Sequence, residues 1–305
     1  MVIMTKKQYF LKRLKRDKYQ YVMLIPAFFT VLIFAYIPMF GVIMAFQKFD
    51  VFKGFLGSEW VGFDNFVRLF TQTKFSIAIW NTLKLSLVNL AINFPAPIIM
   101  ALLINELEMR RFKKVTQTIS YLPHFLSWIS VVGLLYVVLG KEGVINDLRA
   151  ALGFTNPITF LAEQKYFMWI VIIAVLWKET GWGTVIHLAN LSSINPELYE
   201  AASVDGATRL QKTWFITLPH MLPTVMILLI FQMGTLFNSN FELLYGLQNP
   251  FIQFDVISTV VYETGIQAGN YSMSTTLGLA QGLIALLLVF GSNWLSKKVS
   301  GTGIM

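Results

Sequence analysis

Five stretches of this 305-residue chain contain no Asp, Glu, Lys or Arg: residues 19–47, 85–105, 115–140, 213–241 and 264–296. Each exceeds the roughly 20 residues an α-helix needs to cross the hydrocarbon core of a bilayer. A sixth run, about 166–191, is apolar except for Lys178 and Glu179. Inside a bilayer no water satisfies backbone N–H and C=O groups, so runs of this length favour helices that satisfy them internally. The expected fold is an all-α integral membrane protein with six transmembrane helices. Only 13% of the residues are charged, against about a quarter in soluble proteins, which excludes an ordinary soluble domain. The first run is too long for a signal-peptide core and no small-x-small cleavage site follows it, so it is expected to stay as an anchor.

The net charge of +8 is distributed to one side. Seven Lys and Arg precede the first span, Arg110, Arg111, Lys113 and Lys114 follow the second, Arg209 and Lys212 the fourth, and Lys297 and Lys298 the last. That puts 15 on this side and 7 on the other, and positive loops stay inside. Both termini are expected to be cytoplasmic. The organisation reads as a basic tail at 1–18, the first helix with an external interfacial segment at 19–76, a transmembrane core at 77–296 and a short tail at 297–305. The basic tail is a topology signal that touches anionic lipid; nucleic acid is not an expected partner. In the outer segment, the aromatics of residues 60–70 suit a short helix at the membrane surface.

One polar insert, 192–223, lies on the basic side between spans four and five. Asn195 can cap a helix started by Pro196, and Glu197 and Glu200 favour its positive end. Ala201 and Ala202 leave a surface another protein can approach closely. Gly206 can supply the turn that ends the helix before a second begins at Ala207. Pro219 and Pro223 mark the return into the membrane. An ordinary loop of helix-forming residues would share some of these traits.

The sequence Glu200-Ala201-Ala202, with Asp205-Gly206-Ala207 and then Ile216-Thr217-Leu218-Pro219, resembles the EAA loop of bacterial ABC importer permeases. Asn105-Glu106-Leu107, the run from Gln117 to Trp128, Trp177 to Trp182, and Leu198 to Ala201 are similar to sugar-importer permeases, particularly those for larger oligosaccharides. The resemblance implies a type I ABC importer transmembrane fold working by alternating access. It implies a coupling helix that docks on an ATP-hydrolysing subunit through Glu200, Ala201, Ala202, Asp205, Gly206, Ala207, Leu218 and Pro219. It also implies a second homologous permease, two ATP-binding subunits, an extracellular solute-binding lipoprotein and a carbohydrate cargo. ATP and Mg are then used by the partner ATPase, and no cofactor or metal is expected on this chain.

Lys178 and Glu179 are the costliest residues in the membrane, each on the order of 2.5–3.5 kcal/mol at a span centre. With Trp177 and Trp182, whose flat faces suit sugar rings, they are candidates for the substrate pathway; a structural ion pair with another helix weighs equally. Adjacent helix residues point about 100° apart, so pairing of the two with each other cannot be assumed. Gly181 and Gly183 permit close helix packing. Asn89 and Asn93 share one helical face and serve as either packing contacts or cargo ligands. Asn238 and Asn240, flanked by aromatics, suit a carbohydrate or a helix terminus, and the acidic loop after them suits an external binding protein.

Catalysis finds no support. The chain has no cysteine and three scattered histidines, no Gly-x-x-x-x-Gly-Lys-Ser/Thr loop, no zinc helix and no nucleophile elbow. An intramembrane enzyme would need convergent catalytic residues, and an ATP-independent channel or carrier would leave the 200–223 pattern unexplained. A non-sugar cargo remains an alternative.

Overall fold

The computed structural model describes residues 16–301, 303 and 304; five of the seven basic residues of the N-terminal tail lie outside them. Among the described residues, six helical stretches are long and apolar enough to cross a membrane: Lys18–Phe46, Thr73–Asn105, Trp128–Ala151, Gln164–Leu191, Arg209–Gly234 and Tyr271–Ser300. All six expected spans are present.

The first span begins as α1 (Lys18–Val31), passes through a π turn at Leu32–Tyr36 and ends as a 3-10 helix at Ile37–Phe46. The change of register precedes Pro38, which has no N–H to donate; Ile37 N–H reaches back to the Leu32 carbonyl instead. No residue of α1 is buried. The chain then forms a small antiparallel ribbon, β1 (Gln47–Lys48) against β2 (Glu59–Trp60). Helix α2 (Asp64–Thr71) follows, so the expected short outer helix exists, and the ribbon is the one departure from an all-helical outline among the described residues. Phe46 stacks on Trp60 at 5.8 Å, while Asn65 Nδ2 donates to the Ala45 and Gln47 carbonyls at 2.9 and 3.0 Å. This fastens α2 to the end of the first span.

Span two is α3 (Thr73–Asn93) and α4 (Pro95–Asn105), broken at Phe94, with Pro95 in the first turn where its missing N–H is not needed. The expected third span at 115–140 is not one helix. It divides into α5 (Arg110–Tyr121), a 3-10 turn at Leu122–Phe125 and α6 (Trp128–Leu139). Pro123 starts the turn, and the Ser127 hydroxyl accepts from Ser130 N–H to start α6 afresh. A further helix, α7 (Val144–Ala151), completes that segment. Span four is the unbroken α8 (Gln164–Leu191). The 192–223 insert supplies α9 (Pro196–Val204) and α10 (Arg209–Lys212), and a π turn at Thr213–Thr217 leads into α11 (Leu218–Gly234). Helices α12 (Phe241–Leu247) and α13 (Ile257–Tyr262) follow it, and α14 (Tyr271–Ser300) closes the chain. The uncharged runs 213–241 and 264–296 thus both overrun their membrane helix, because charge is blind to helix breaks.

The largest buried cluster joins Leu85, Val131, Phe167, Val171, Leu243 and Val256 at the end away from the polar insert. A second unites Ala101, Ile104, Leu188, Leu191, Ile194 and Met221 at the end near the polar insert. Helix α8 is held closely: a Cβ on Gly181 would run into the Ser120 carbonyl of α5, and one on Gly183 would lie 2.9 Å from the Pro97 ring of α4. Small residues of this kind let membrane helices pack without a hydrophobic driving force between them.

Candidate substrate groove and coupling loop

In the 192–223 insert, Asn195 caps α9 by accepting from Glu197 N–H at 3.1 Å, and Pro196 occupies the first turn. Gly206 has φ +77°. Its N–H bonds to the Ser203 carbonyl and that of Ala207 to the Ala202 carbonyl, at 3.1 and 2.9 Å. This is the Schellman pair of bonds that ends a helix through a left-handed residue. The second helix starts at Arg209 rather than Ala207: Thr208 and Gln211 cap it reciprocally, Gln211 N–H to Thr208 Oγ1 and Thr208 N–H to Gln211 Oε1.

Two bonds tie α9 to the segment beyond Gly206, Lys212 Nζ to Ser203 Oγ at 2.6 Å and Tyr199 Oη to Thr217 Oγ1 at 2.9 Å. Glu200, Ala201, Asp205, Gly206 and Pro219 are exposed, and Ala202, Ala207 and Leu218 are half-buried. Val204, 88% exposed, and Leu198, Leu210, Trp214 and Phe215 bring apolar surface to the same insert.

Beside span four, where α3, α8 and α11 meet, runs a groove in two compartments. The first, about 430 Å³, is lined by Asn89, Asn93, Glu179, Trp182, His187 and Gln232 among others. The second, about 240 Å³, includes Ser86, Asn89, Trp128, Glu179, Asn238 and Asn240. Asn89, Val175 and Glu179 belong to both, so Glu179 stands where the compartments meet. Along α8, Val171, Val175, Glu179, Trp182 and Ile186 succeed one another at three- and four-residue steps, one stripe of the helix.

The charged centre of this groove is assembled across sequence. Glu179 Oε1 accepts from Lys178 Nζ at 3.2 Å, and its Oε2 lies 2.8 Å from His124 Nδ1. Lys178 Nζ also donates to the His124 carbonyl at 2.8 Å and sits 4.7 Å over the Trp128 ring. The two neighbours therefore do pair, a point helical phase alone left open. The long lysine stem and the histidine brought in by the 3-10 turn allow it. Lys178 is buried and does not line the groove; its ammonium is used entirely on the wall. The His124 and Trp182 rings stack at 4.6 Å, 3° from parallel, forming one flat platform between α8 and the turn after α5.

Six of the eight pathway candidates line this groove: Glu179, Trp182, Asn89, Asn93, Asn238 and Asn240. Asn93 Nδ2 donates to Asn89 Oδ1 at 2.5 Å. Asn240 caps α12, accepting from Leu243 N–H, and so has the helix-terminus duty weighed for it, whereas Asn238 caps no helix and its Oδ1 accepts from Gln281 Nε2 at 2.9 Å. Trp177 is not in the groove. It lies two residues from Glu179, about 200° away around the helix, in a separate apolar groove. Sequence reasoning missed His124 and Gln232. Gln232, an amide within the apolar stretch 225–236, was a visible signal. For His124, 55 residues from Glu179, no local spacing was available.

Residues 93–300 match the family described as the binding-protein-dependent transport system inner membrane component. The chain belongs to this family. Its similarity to curated relatives runs nearly end to end. The polygalacturonan/rhamnogalacturonan transport system permease of Bacillus subtilis (strain 168) is 42% identical over 302 residues, 98% of this chain and 94% of the relative. The arabinooligosaccharides transport system permease of the same organism is 27% identical over 289 residues, 92% and 88% of the two chains. A solved bacterial alginate ABC transporter, in complex with an alginate pentasaccharide-bound periplasmic protein, contains a chain 40% identical to this one. The two superpose with a TM-score of 0.89 over 96% of this chain and 99% of that one. The protein is thus a multi-pass inner-membrane permease with the type I ABC importer fold.

Proposed function

We propose that this chain is the permease subunit of an importer for oligosaccharides, with acidic, uronate-containing glycan fragments as the favoured class. One observation carries the reading. Near-complete similarity at 40–42% identity extends to permeases named for polygalacturonan/rhamnogalacturonan and for alginate transport, and the groove has the composition a glycan needs. Amides at Asn89, Asn93 and Gln232 serve hydroxyls, and the His124–Trp182 platform serves a C–H face. Glu179 does not repel an acidic cargo as a free carboxylate would, because Lys178 beside it compensates its charge.

Transport is by alternating access, driven by ATP hydrolysis in partner subunits. The chain has no phosphate-binding loop of its own, so energy enters mechanically at α9. Its exposed Glu200–Ala201 face and apolar rim at Leu198 and Val204 support docking there. The assembly comprises this permease, a homologous second permease, two ATPases and an external binding protein, and both termini lie on the ATPase side.

The test is ATPase activity of the reconstituted complex with its binding protein across a glycan panel. Stimulation by galacturonate-, rhamnogalacturonate- or mannuronate/guluronate-containing oligomers is expected; stimulation by a neutral sugar alone would discard the acidic class, and by no glycan would discard carbohydrate.

A further inference from the structure

Trp177 lies in a groove of about 550 Å³ on the flank of α8 away from the substrate groove. Ala96, Ile99, Met100 and Leu103 form its wall on α4, spaced three and four apart and so on one stripe. Ile119, Ser120 and Pro123 form the second wall, and Leu176, Trp177, Thr180 and Gly181 the floor. The close approach of Gly181 to the Ser120 backbone seals that floor.

The chemistry excludes a sugar. Only Ser120 and Thr180 carry side-chain oxygens, and the Ser120 hydroxyl is committed to the Thr116 carbonyl at 2.6 Å. A hydroxyl-rich ligand would lose its hydrogen bonds here with nothing in return. A hydrocarbon chain loses none.

At one end the groove stops being apolar. Leu103 lies two residues before the end of α4, and there the Asn105 carbonyl is approached by Lys113 Nζ at 3.5 Å. Arg110, Arg111 and Lys114 occupy the same first turns of α5 and are exposed, without an ion pair among the described residues. Nearby Glu108 is engaged by Arg209 at 2.6 Å, and Glu106 is the remaining acid beside them. Phe112, Val115 and Ile119 continue the apolar face of α5 from this basic end toward the groove. An apolar groove that runs toward a net basic cluster matches a lipid with tail and anionic head. Basic pockets between transmembrane helices bind such headgroups.

We propose that the groove between α4, α5 and α8 is a binding site for an anionic phospholipid. One acyl chain lies along Ala96–Leu103 against Trp177, and the phosphate sits at Lys113 with Arg110 and Arg111. The site is independent of the cargo and stands whichever glycan is carried.

The experiment uses the assembled importer in nanodiscs of phosphatidylcholine, doped with photoactivatable-acyl phosphatidylglycerol or a phosphatidylcholine probe of identical chains. Labelled peptides are read by mass spectrometry. Phosphatidylglycerol is expected to label the segments around Ile119 and Trp177 about fivefold more than phosphatidylcholine for each cation engaged, from roughly 1 kcal/mol per Lys or Arg. Lys113→Gln combined with Arg110→Gln and Arg111→Gln should bring the two probes level. Ala96→Phe, which fills the groove and leaves the cations, should reduce labelling by both. Variants are scored only where the ATPase still co-purifies, which reports intact assembly and topology.

Equal labelling by the two probes in the unaltered protein would mean ordinary annular lipid and overturn the proposal. So would high-yield crosslinking of Trp177→Cys, the single cysteine in an otherwise cysteine-free chain, to the second permease, because protein would then cover the groove.

Discussion

His124 performs two tasks with one ring: its Nδ1 holds the Glu179 carboxylate and its face stacks on Trp182. Two substitutions separate them. Asn keeps a donor near the Nδ1 position and loses the stack; Phe keeps the stack and loses the donor. Since a hydrogen bond to a charged group contributes about 1.5–3 kcal/mol, His124→Phe is expected to raise the half-saturating glycan concentration roughly tenfold. His124→Asn is expected to retain the better affinity of the two, with maximal ATPase rate little changed in both. Equal effects of Asn and Phe would mean that the ring only fills space.

Asp255, in the outer loop before α13, provides a test by pH. Burial, and then the Glu263 charge, raise its pKa, with Lys74 opposing. An acid whose folded pKa is raised stabilises the fold below its unfolded value, and that contribution is lost as pH rises through the folded value. Asp255→Asn should therefore raise the thermal midpoint of the purified complex near pH 7.5, and the gain should vanish near pH 4.

At the level of elements, two glycines set geometry for different reasons. Gly206 meets no atom within 4 Å of a built Cβ, but its φ is +77°. Its replacement is thus a purely backbone cost, about 1–2 kcal/mol for Ala and less for Asn. Gly206→Ala should loosen the end of α9 and reduce ATPase co-purification, and Gly206→Asn should restore most of it. Gly181 is the converse case, with ordinary backbone and no room beside Ser120. Gly181→Ala should cost about 1–3 kcal/mol by overpacking, while Gly133→Ala, which faces open space, should leave the melting midpoint unchanged.

These elements also show why boundaries are harder to read than spans. Asn195, Pro196 and Gly206 announce α9 because capping is local chemistry, and the helix has the expected start and stop. The second helix begins two residues later than expected, at Arg209, because Thr208 is a better cap than Ala207. The 115–140 run hid the break at Pro123–Ser127, since an apolar sequence satisfies both a continuous helix and two shorter ones.

For the whole molecule, the first span leaves α1 without a buried residue while the rest of the chain packs around α8 and α14. A helix this bare is covered by lipid or by another subunit, which agrees with a permease that works in a larger assembly. The coupling role of the insert is tested at this scale. Thr208→Cys in the cysteine-free chain should crosslink to an engineered cysteine in the ATPase, with a yield that changes between nucleotide-free and ATP-bound complexes. No crosslink in either state would remove the insert from the power train.

By itself the sequence determined the solvent of this protein, the number of its spans, its family and the local turns of its polar insert. The solvent, the span count and the turns follow from composition, run length and short-range capping, and the family from the resemblance of the 200–219 motif. Only the tertiary structure decided which side of α8 each residue serves. It turned Trp177 out of the substrate groove, buried Lys178 in the wall and brought His124 to Glu179 across 55 positions. The physical reason is that a site inside a helical bundle is made where faces of different helices meet. Helical phase fixes a face on its own helix and says nothing of the neighbour it meets, whereas close packing at Gly181 and Gly183 does.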